Sequence, residues 1–221
     1  MYIEFLGDEL LFLGNKLNNK FFEKIITMKK ENFLVTKLHN MRYEKRFNRI
    51  RKMDRNFQDL VETLFDYDTV IELSEQGNAN QIMAFFIKEC SYCVLKYNPS
   101  VDVFSVYTVE DKEDLKCALH ERLFNRCQPI KNNYGNELSE TKKLSFENED
   151  KAQEYVQSEF GKCDFVMVKK TKKIKDSESN ESFTYIVCKP NSVIICEVEN
   201  SIVVTSAFQL KDFCDYVFSS F

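Results

Sequence analysis

The chain has 221 residues, 43% of them hydrophobic and 30% charged, and a net charge of −4. That is the balance of a folded globular domain rather than a disordered tail, and at this size roughly 70% of the unfolded chain's surface can be buried without disulfide or metal staples. Five scattered glycines and two histidines exclude a dinucleotide fingerprint, a phosphate-binding glycine loop, an HExxH pair and a G-x-S-x-G nucleophile turn.

From the amino end, Ile3 and Phe5 alternate with polar neighbours and predict a strand, after which Asp8 opens a helix carrying Leu10, Leu13 and Leu17. Residues 32–38 read as a second extended segment. Tyr43, Phe47 and Ile50 then recur at helical spacing, and Phe57, Leu60, Val61, Leu64 and Phe65 form an amphipathic stripe. After that helix the pattern predicts strands at 69–73, 81–88, 92–96 and 101–107, with turns at 76–80 and 98–100, and a closing helix over 112–126.

The same order returns later in the chain. A helix over 149–160 is stopped by Gly161, strands follow at 163–169, 183–188, 193–197 and 202–205, and a last helix spans 208–221. The segment 128–143, with Pro129, Asn132, Asn133, Gly135 and Asn136, reads as the connecting loop. The polar run 171–182 reads as an extended hairpin tip. The expected fold is therefore α+β: a central antiparallel sheet flanked by helices, built from two pseudo-repeated helix, four-strand, helix halves at about 1–127 and 144–221.

Eight cysteines raise the question of disulfides, but the longest early apolar run is only residues 10–13 and no stretch approaches the ~20 residues that span a bilayer. The cysteines are accordingly expected to be reduced thiols of a cytoplasmic protein. Cys90 and Cys93 have metal-like spacing. Residues three apart on a strand face opposite ways, however, and no second pair completes a site, so neither a metal nor a cofactor is expected.

Charge is unevenly spread: residues 16–55 hold a local +9, centred on Arg42, Lys45, Arg46, Arg49, Arg51, Lys52 and Arg55. Such a cluster is either a basic helix for nucleic acid or an acidic partner, or a solvated face balanced by the acidic remainder. The sequence pI of about 5.5 favours the solvated face. In the last helix Leu210, Phe213, Cys214, Val217, Phe218 and Phe221 fall at core spacing, leaving Lys211, Asp212, Asp215, Tyr216 and Ser219 outward. The outward side of that helix, with Tyr216, Asp212 and Asp215, is the expected partner surface. No catalytic residue is expected.

Three stretches carry a family resemblance: residues 3–13 (IEFLGDELLFL), the leucine-rich helix and strand at 60–73, and the closing succession of strands and amphipathic helix from 183 onward. In these the chain resembles the EspG-like cytosolic chaperones of type VII (ESX) secretion, and more closely their counterparts in low-GC Gram-positive bacteria (Firmicutes). The resemblance implies one EspG-like domain over 1–221, with a quasi-two-fold relation between halves. It also implies a non-enzymatic cytoplasmic adaptor that keeps a helical secreted substrate soluble for export. Mycobacterial members contact partners through the first-half hairpin loop. Here that loop is only 74–80, so the resemblance implies partner contacts at its tip, Ser74, Glu75, Gln76 and Asn78, and makes 171–182, with Lys175 and Asp176, a second candidate. The other readings are an immunity protein whose acidic surface covers a basic toxin, a nucleic-acid-binding regulator acting through 42–55, and an enzyme of unrecognised type.

Overall fold

A computed structural model describes residues 1–26, 33–54, 56–75, 82–124, 141–160, 165–174, 177–188, 192–199 and 201–219. In chain order these form β1 (Tyr2–Leu6), α1 (Gly7–Lys16), α2 (Phe21–Ile25), α3 (Phe33–Met53) and α4 (Asn56–Phe65). Then come β2 (Thr69–Glu75), β3 (Ile82–Lys88), β4 (Ser91–Asn98), β5 (Val103–Val109) and α5 (Lys112–Phe124). The chain continues with β6 (Thr141–Ser145), α6 (Glu149–Phe160), β7 (Phe165–Ile174), β8 (Ser177–Cys188), β9 (Ser192–Glu199), β10 (Ile202–Gln209) and α7 (Leu210–Phe218). The fold is α+β, with antiparallel sheet flanked by helices.

The element order states one theme twice: α4-β2-β3-β4-β5-α5, and later α6-β7-β8-β9-β10-α7. The structure adds a feature that the sequence pattern did not reveal. Each string is preceded by a short strand that returns to pair antiparallel with the string's last strand: β1 with β5 (Ile3 opposite Val106) and β6 with β10 (Leu144 opposite Val203). The theme is therefore strand, helix, four-strand meander, helix, with α1, α2 and α3 inserted in the first copy.

The chain divides into two units. The first comprises Met1–Ile71, Asn80–Asp111 and Thr171–Ser179. Its strands run in the order β1-β5-β4-β3-β2. Alternation along β1 buries Ile3 and Phe5 and turns Tyr2, Glu4 and Leu6 outward, and α1 covers them with Leu10, Leu11 and Leu13. The amphipathic α4 adds Phe57, Leu60, Val61, Leu64 and Phe65. At the centre sits an aromatic knot. The Phe22 ring lies 5.2 Å from both Phe21 and Phe65, while Phe86 meets Phe21 edge-on at 5.1 Å and Tyr67 at 5.4 Å.

Gly14 lets α1 turn into this knot. Its carbonyl accepts the Asn19 N–H at 2.8 Å, and a Cβ placed on it would stand 2.9 Å from the Asn19 backbone oxygen. Alanine normally raises helix stability over glycine by roughly 0.5–1 kcal/mol. Here the contact is with backbone, so Gly14→Ala is expected to lower stability by about 1–3 kcal/mol, as overpacking does. Urea denaturation followed by circular dichroism tests this; an unchanged or raised midpoint would show that the Asn19 turn yields freely.

The second unit comprises Glu72–Ala79, Lys112–Lys170 and Asn180–Phe221. Its strands run β7-β8-β9-β10-β6, with Ile194 and Val203 among the buried positions. Leu115, Leu119 and Leu123 recur every four residues on the buried side of α5, which packs against α7. Among the described residues no helix is long and apolar enough to cross a membrane.

Three expectations about local structure are corrected. Residues 33–38 are not extended but are the first turns of α3: Thr36, His39, Tyr43, Phe47 and Ile50 form one continuous inward stripe, and the β-branched Val35–Thr36 pair is too weak a local preference to break it. The linker expected at 128–143 gives way at Thr141 to β6, whose five residues are all exposed and therefore show no apolar alternation to read. The polar run 171–182 is mostly strand, since β7 continues to Ile174 and β8 starts at Ser177. Backbone ladder bonds do not require apolar side chains, which is why composition read it as loop. The remainder of the expected linker lies outside the described residues.

Candidate protein-binding surface

The sequence-predicted partner residues do not all fall within the described structure. Ser74 is half-buried on β2, and Glu75 is its last residue. Ser74 and Glu75 are thus strand residues and not loop tip, while Gln76, Asn78, Lys175 and Asp176 lie outside the described residues; of the expected surface the structure positions the α7 part and the end of β2.

On α7, burial follows the periodicity. Leu210, Phe213, Cys214, Val217 and Phe218 are buried, while Lys211, Asp212, Tyr216 and Ser219 are exposed. Tyr216 is 43% exposed, yet it does not stand alone: its ring stacks on Phe208 of β10, with centroids 5.7 Å apart and planes 26° from parallel. The two rings make a small aromatic platform between β10 and the last turn of α7. Stacking restricts the tyrosine before any partner arrives, which lowers the entropy lost on binding. The helix ends at Ser219, whose N–H and hydroxyl both donate to the Tyr216 carbonyl.

Asp215, expected to face freely outward, is engaged. Its carboxylate accepts from the Lys116 ammonium of α5 at 2.7 Å, and the same ammonium donates to Glu113 at 2.6 Å. The Asp215 hydrogen bond, with Glu113 behind it, raises Lys116 well above the usual lysine range, and the same bond holds Asp215 below the usual carboxylate range. This bridge joins α5 to α7, whose buried Leu210, Phe213, Val217 and Phe218 seat the helix that carries Tyr216. Lys116 escaped the sequence reading because its partner lies 99 positions away on another helix. Phe208 escaped it because it was assigned to the helix rather than to the strand before it.

Cys90, Cys93, Cys117 and Cys214 are free thiols; Cys93 and Cys214 are buried and Cys90 and Cys117 exposed. Burial pushes the Cys214 thiol up to about 12 and moves Cys93 in the same direction, so both are poor nucleophiles at neutral pH. Cys93 lies on β4 and Cys90 in the turn before it, so the two do not form a ligand pair. Among the described residues no group of three or more histidine, cysteine or acidic side chains is placed to hold a metal ion.

The first unit has a cleft of about 690 Å³ between the α1–α2 turn, the end of α4 and the end of β7. Asn19 builds its floor by donating Nδ2–H to the Phe65 carbonyl and accepting the Phe21 N–H at Oδ1. Asn18 takes the left-handed conformation, φ 55°, that this reversal requires. The Lys173 ammonium stands 3.9 Å over the Tyr67 ring, and Lys20 and Lys24 line the same cleft. These cations gather at the C-terminal end of α4, where a helix dipole favours positive charge.

The basic segment is α3. Arg46 reaches inward to the Glu9 carboxylate and to the Glu4 carbonyl, at 2.7 Å, and lies over the Phe5 ring. Lys16 of α1 pairs with Glu44 at 2.7 Å. Arg46 thus has a structural role in the first unit.

No family model matches the chain, and none of the curated proteins matches it in sequence. By structure it is similar to the Mycobacterium tuberculosis type VII secretion system chaperone EspG5, solved in complex with the PE25–PPE41 dimer. The likeness has a TM-score of 0.54 at 9% sequence identity and covers 98% of this chain and 94% of that one. At that identity the likeness speaks for the fold, and the fold of this chain is EspG-like.

Proposed function

We propose that this protein is a non-enzymatic cytoplasmic adaptor that binds a helical protein destined for type VII secretion and keeps it soluble until export. The observation that carries this reading is the similarity to EspG5 along nearly the full length of both chains, because EspG5 was solved holding a secretion-system protein pair. The Firmicutes branch of that family is the proposed setting, on the resemblance of residues 3–13, 60–73 and the closing strands. The Tyr216–Phe208 platform on the second unit suits capture of an apolar helix tip: Tyr216 is exposed, prestacked on Phe208 and carried by a helix whose other face is buried. Such recognition needs a shaped surface rather than reactive side chains.

The test is co-expression with the helical proteins encoded beside this gene, followed by size-exclusion chromatography. One of them is expected to become soluble and co-elute. Tyr216→Ala is expected to leave folding within about 0.5–1 kcal/mol of the parent while weakening that complex by about 2 kcal/mol, as loss of an aromatic hot spot does. If no helical neighbour is solubilised, the adaptor reading fails. If one is, and Tyr216→Ala binds it unchanged, the platform is not the contact.

A further inference from the structure

Helix α3 has two unlike sides. It carries seven Lys and Arg and one carboxylate, Glu44, in the run FLVTKLHNMRYEKRFNRIRKM. Thr36, His39, Tyr43, Phe47 and Ile50 face inward, and the charges nearest that side are satisfied: Arg46 by Glu9, and Glu44 by Lys16. On the other side Leu38, Met41, Arg42, Lys45, Arg49 and Lys52 are exposed, with Lys37 and Arg51 exposed on one flank. Among the described residues no carboxylate pairs with Arg42, Lys45, Arg49 or Lys52. They recur at spacings of three and four, so they form a single row about 15 Å long. Leu38 and Met41, 59% and 49% exposed, give that row an apolar head.

We propose that this row docks an acidic amphipathic helix of a partner protein, whose carboxylates at matching three-and-four spacing meet Arg42, Lys45, Arg49 and Lys52, and whose apolar end covers Leu38 and Met41. A linear row one helix wide fits a second helix better than it fits the broad phosphate surface of a duplex. Phosphate offers nothing to a leucine and a methionine. The acidic remainder of the chain, with its pI near 5.5, repels a long polyanion from the molecule as a whole. Two apolar side chains are too few to seat a helix in a bilayer surface, which takes a full apolar face. This surface belongs to the first unit, whereas the α7 platform belongs to the second, and it stands whether or not the adaptor reading does.

The experiment is fluorescence polarisation with a labelled synthetic helix of about 18 residues, bearing glutamates at three-and-four spacing and two leucines at one end. The comparison probes are a scrambled peptide of the same composition, a 20-base-pair DNA duplex and phosphatidylserine vesicles. The patterned helix is expected to bind at least about tenfold more tightly than the scramble and to weaken markedly as salt rises. Arg42→Glu/Lys45→Glu/Arg49→Glu is expected to weaken it about 100-fold or more, and Leu38→Ser/Met41→Ser about tenfold. Amide shift perturbations in the unmodified protein, expected along 38–52, keep the test independent of how the variants fold. The proposal is overturned by equal binding of the scramble, by binding that the charge reversal leaves unchanged, or by perturbations elsewhere. Tighter binding of the duplex or of the vesicles overturns it in favour of that partner.

Discussion

Phe22→Ala is expected to destabilise the protein by about 3–5 kcal/mol, the largest effect of any single substitution considered. The side chain is fully buried and meets rings on three different elements: Phe21 on its own helix, Phe65 on α4 and, at 6.3 Å, Phe86 on β3. Removing it opens a cavity whose walls are aromatic rings fixed by one another, so collapse recovers little of the lost contact. Urea unfolding followed by far-ultraviolet circular dichroism measures the change. A loss under 1 kcal/mol would mean that the knot repacks readily and that these rings do not organise the first unit. The short α2 could not persist as an isolated helix of five residues, and this packing is what holds it.

Arg46→Ala is the second large effect, expected at about 2–3 kcal/mol at neutral pH. Glu9 is 2% exposed and Arg46 is its ion-pair partner, so the truncation leaves a buried carboxylate with its charge uncompensated. Breaking a fully buried pair costs about 3–5 kcal/mol; the smaller figure applies because the Arg46 side chain is 44% exposed and water shares its charge. Burial raises the Glu9 carboxyl above its usual value, and Arg46 opposes that rise. The folded state therefore binds the Glu9 proton more readily than the unfolded state does. The penalty for keeping Glu9 ionised is present above its folded pKa and fades as pH falls through that value. Loss of Arg46 moves the folded pKa higher still, so the stability deficit of Arg46→Ala is expected to shrink as pH drops from 7 toward 5. A deficit that stays constant or grows over that range would show that Arg46 acts through packing on Phe5 rather than through charge. Glu9→Gln in the same background should restore part of the loss, since the buried group then carries no charge.

Much of the architecture was readable from local pattern. Alternation at Ile3 and Phe5, the α4 stripe from Phe57 to Phe65, and the core spacing of Leu210, Phe213, Cys214, Val217 and Phe218 each follow from the period of a strand or a helix. Because both copies of the theme place such segments in the same order, helix, four strands and helix could be counted twice without knowing any contact. Where a segment's apolar pattern is silent the reading failed. The polar residues of β6 are strand because β10, far away in sequence, offers hydrogen-bond partners, and the polar end of β7 is strand because it pairs with β8 as a hairpin.

For the candidate surfaces the division is similar. Helix period alone turned Asp212 and Tyr216 outward and set the basic residues on one segment. Only the tertiary structure decided that Asp215 is tied to Lys116, that Tyr216 rests on Phe208, and that Arg46 turns inward to Glu9 while Arg42, Lys45, Arg49 and Lys52 remain along the exposed side of α3. The Lys116 and Arg46 outcomes are pairings between elements distant in the chain, and the Phe208 contact depends on how β10 turns into α7. Sequence dictates which face a side chain takes on its own helix, whereas its partner is set by which other element the packing brings alongside.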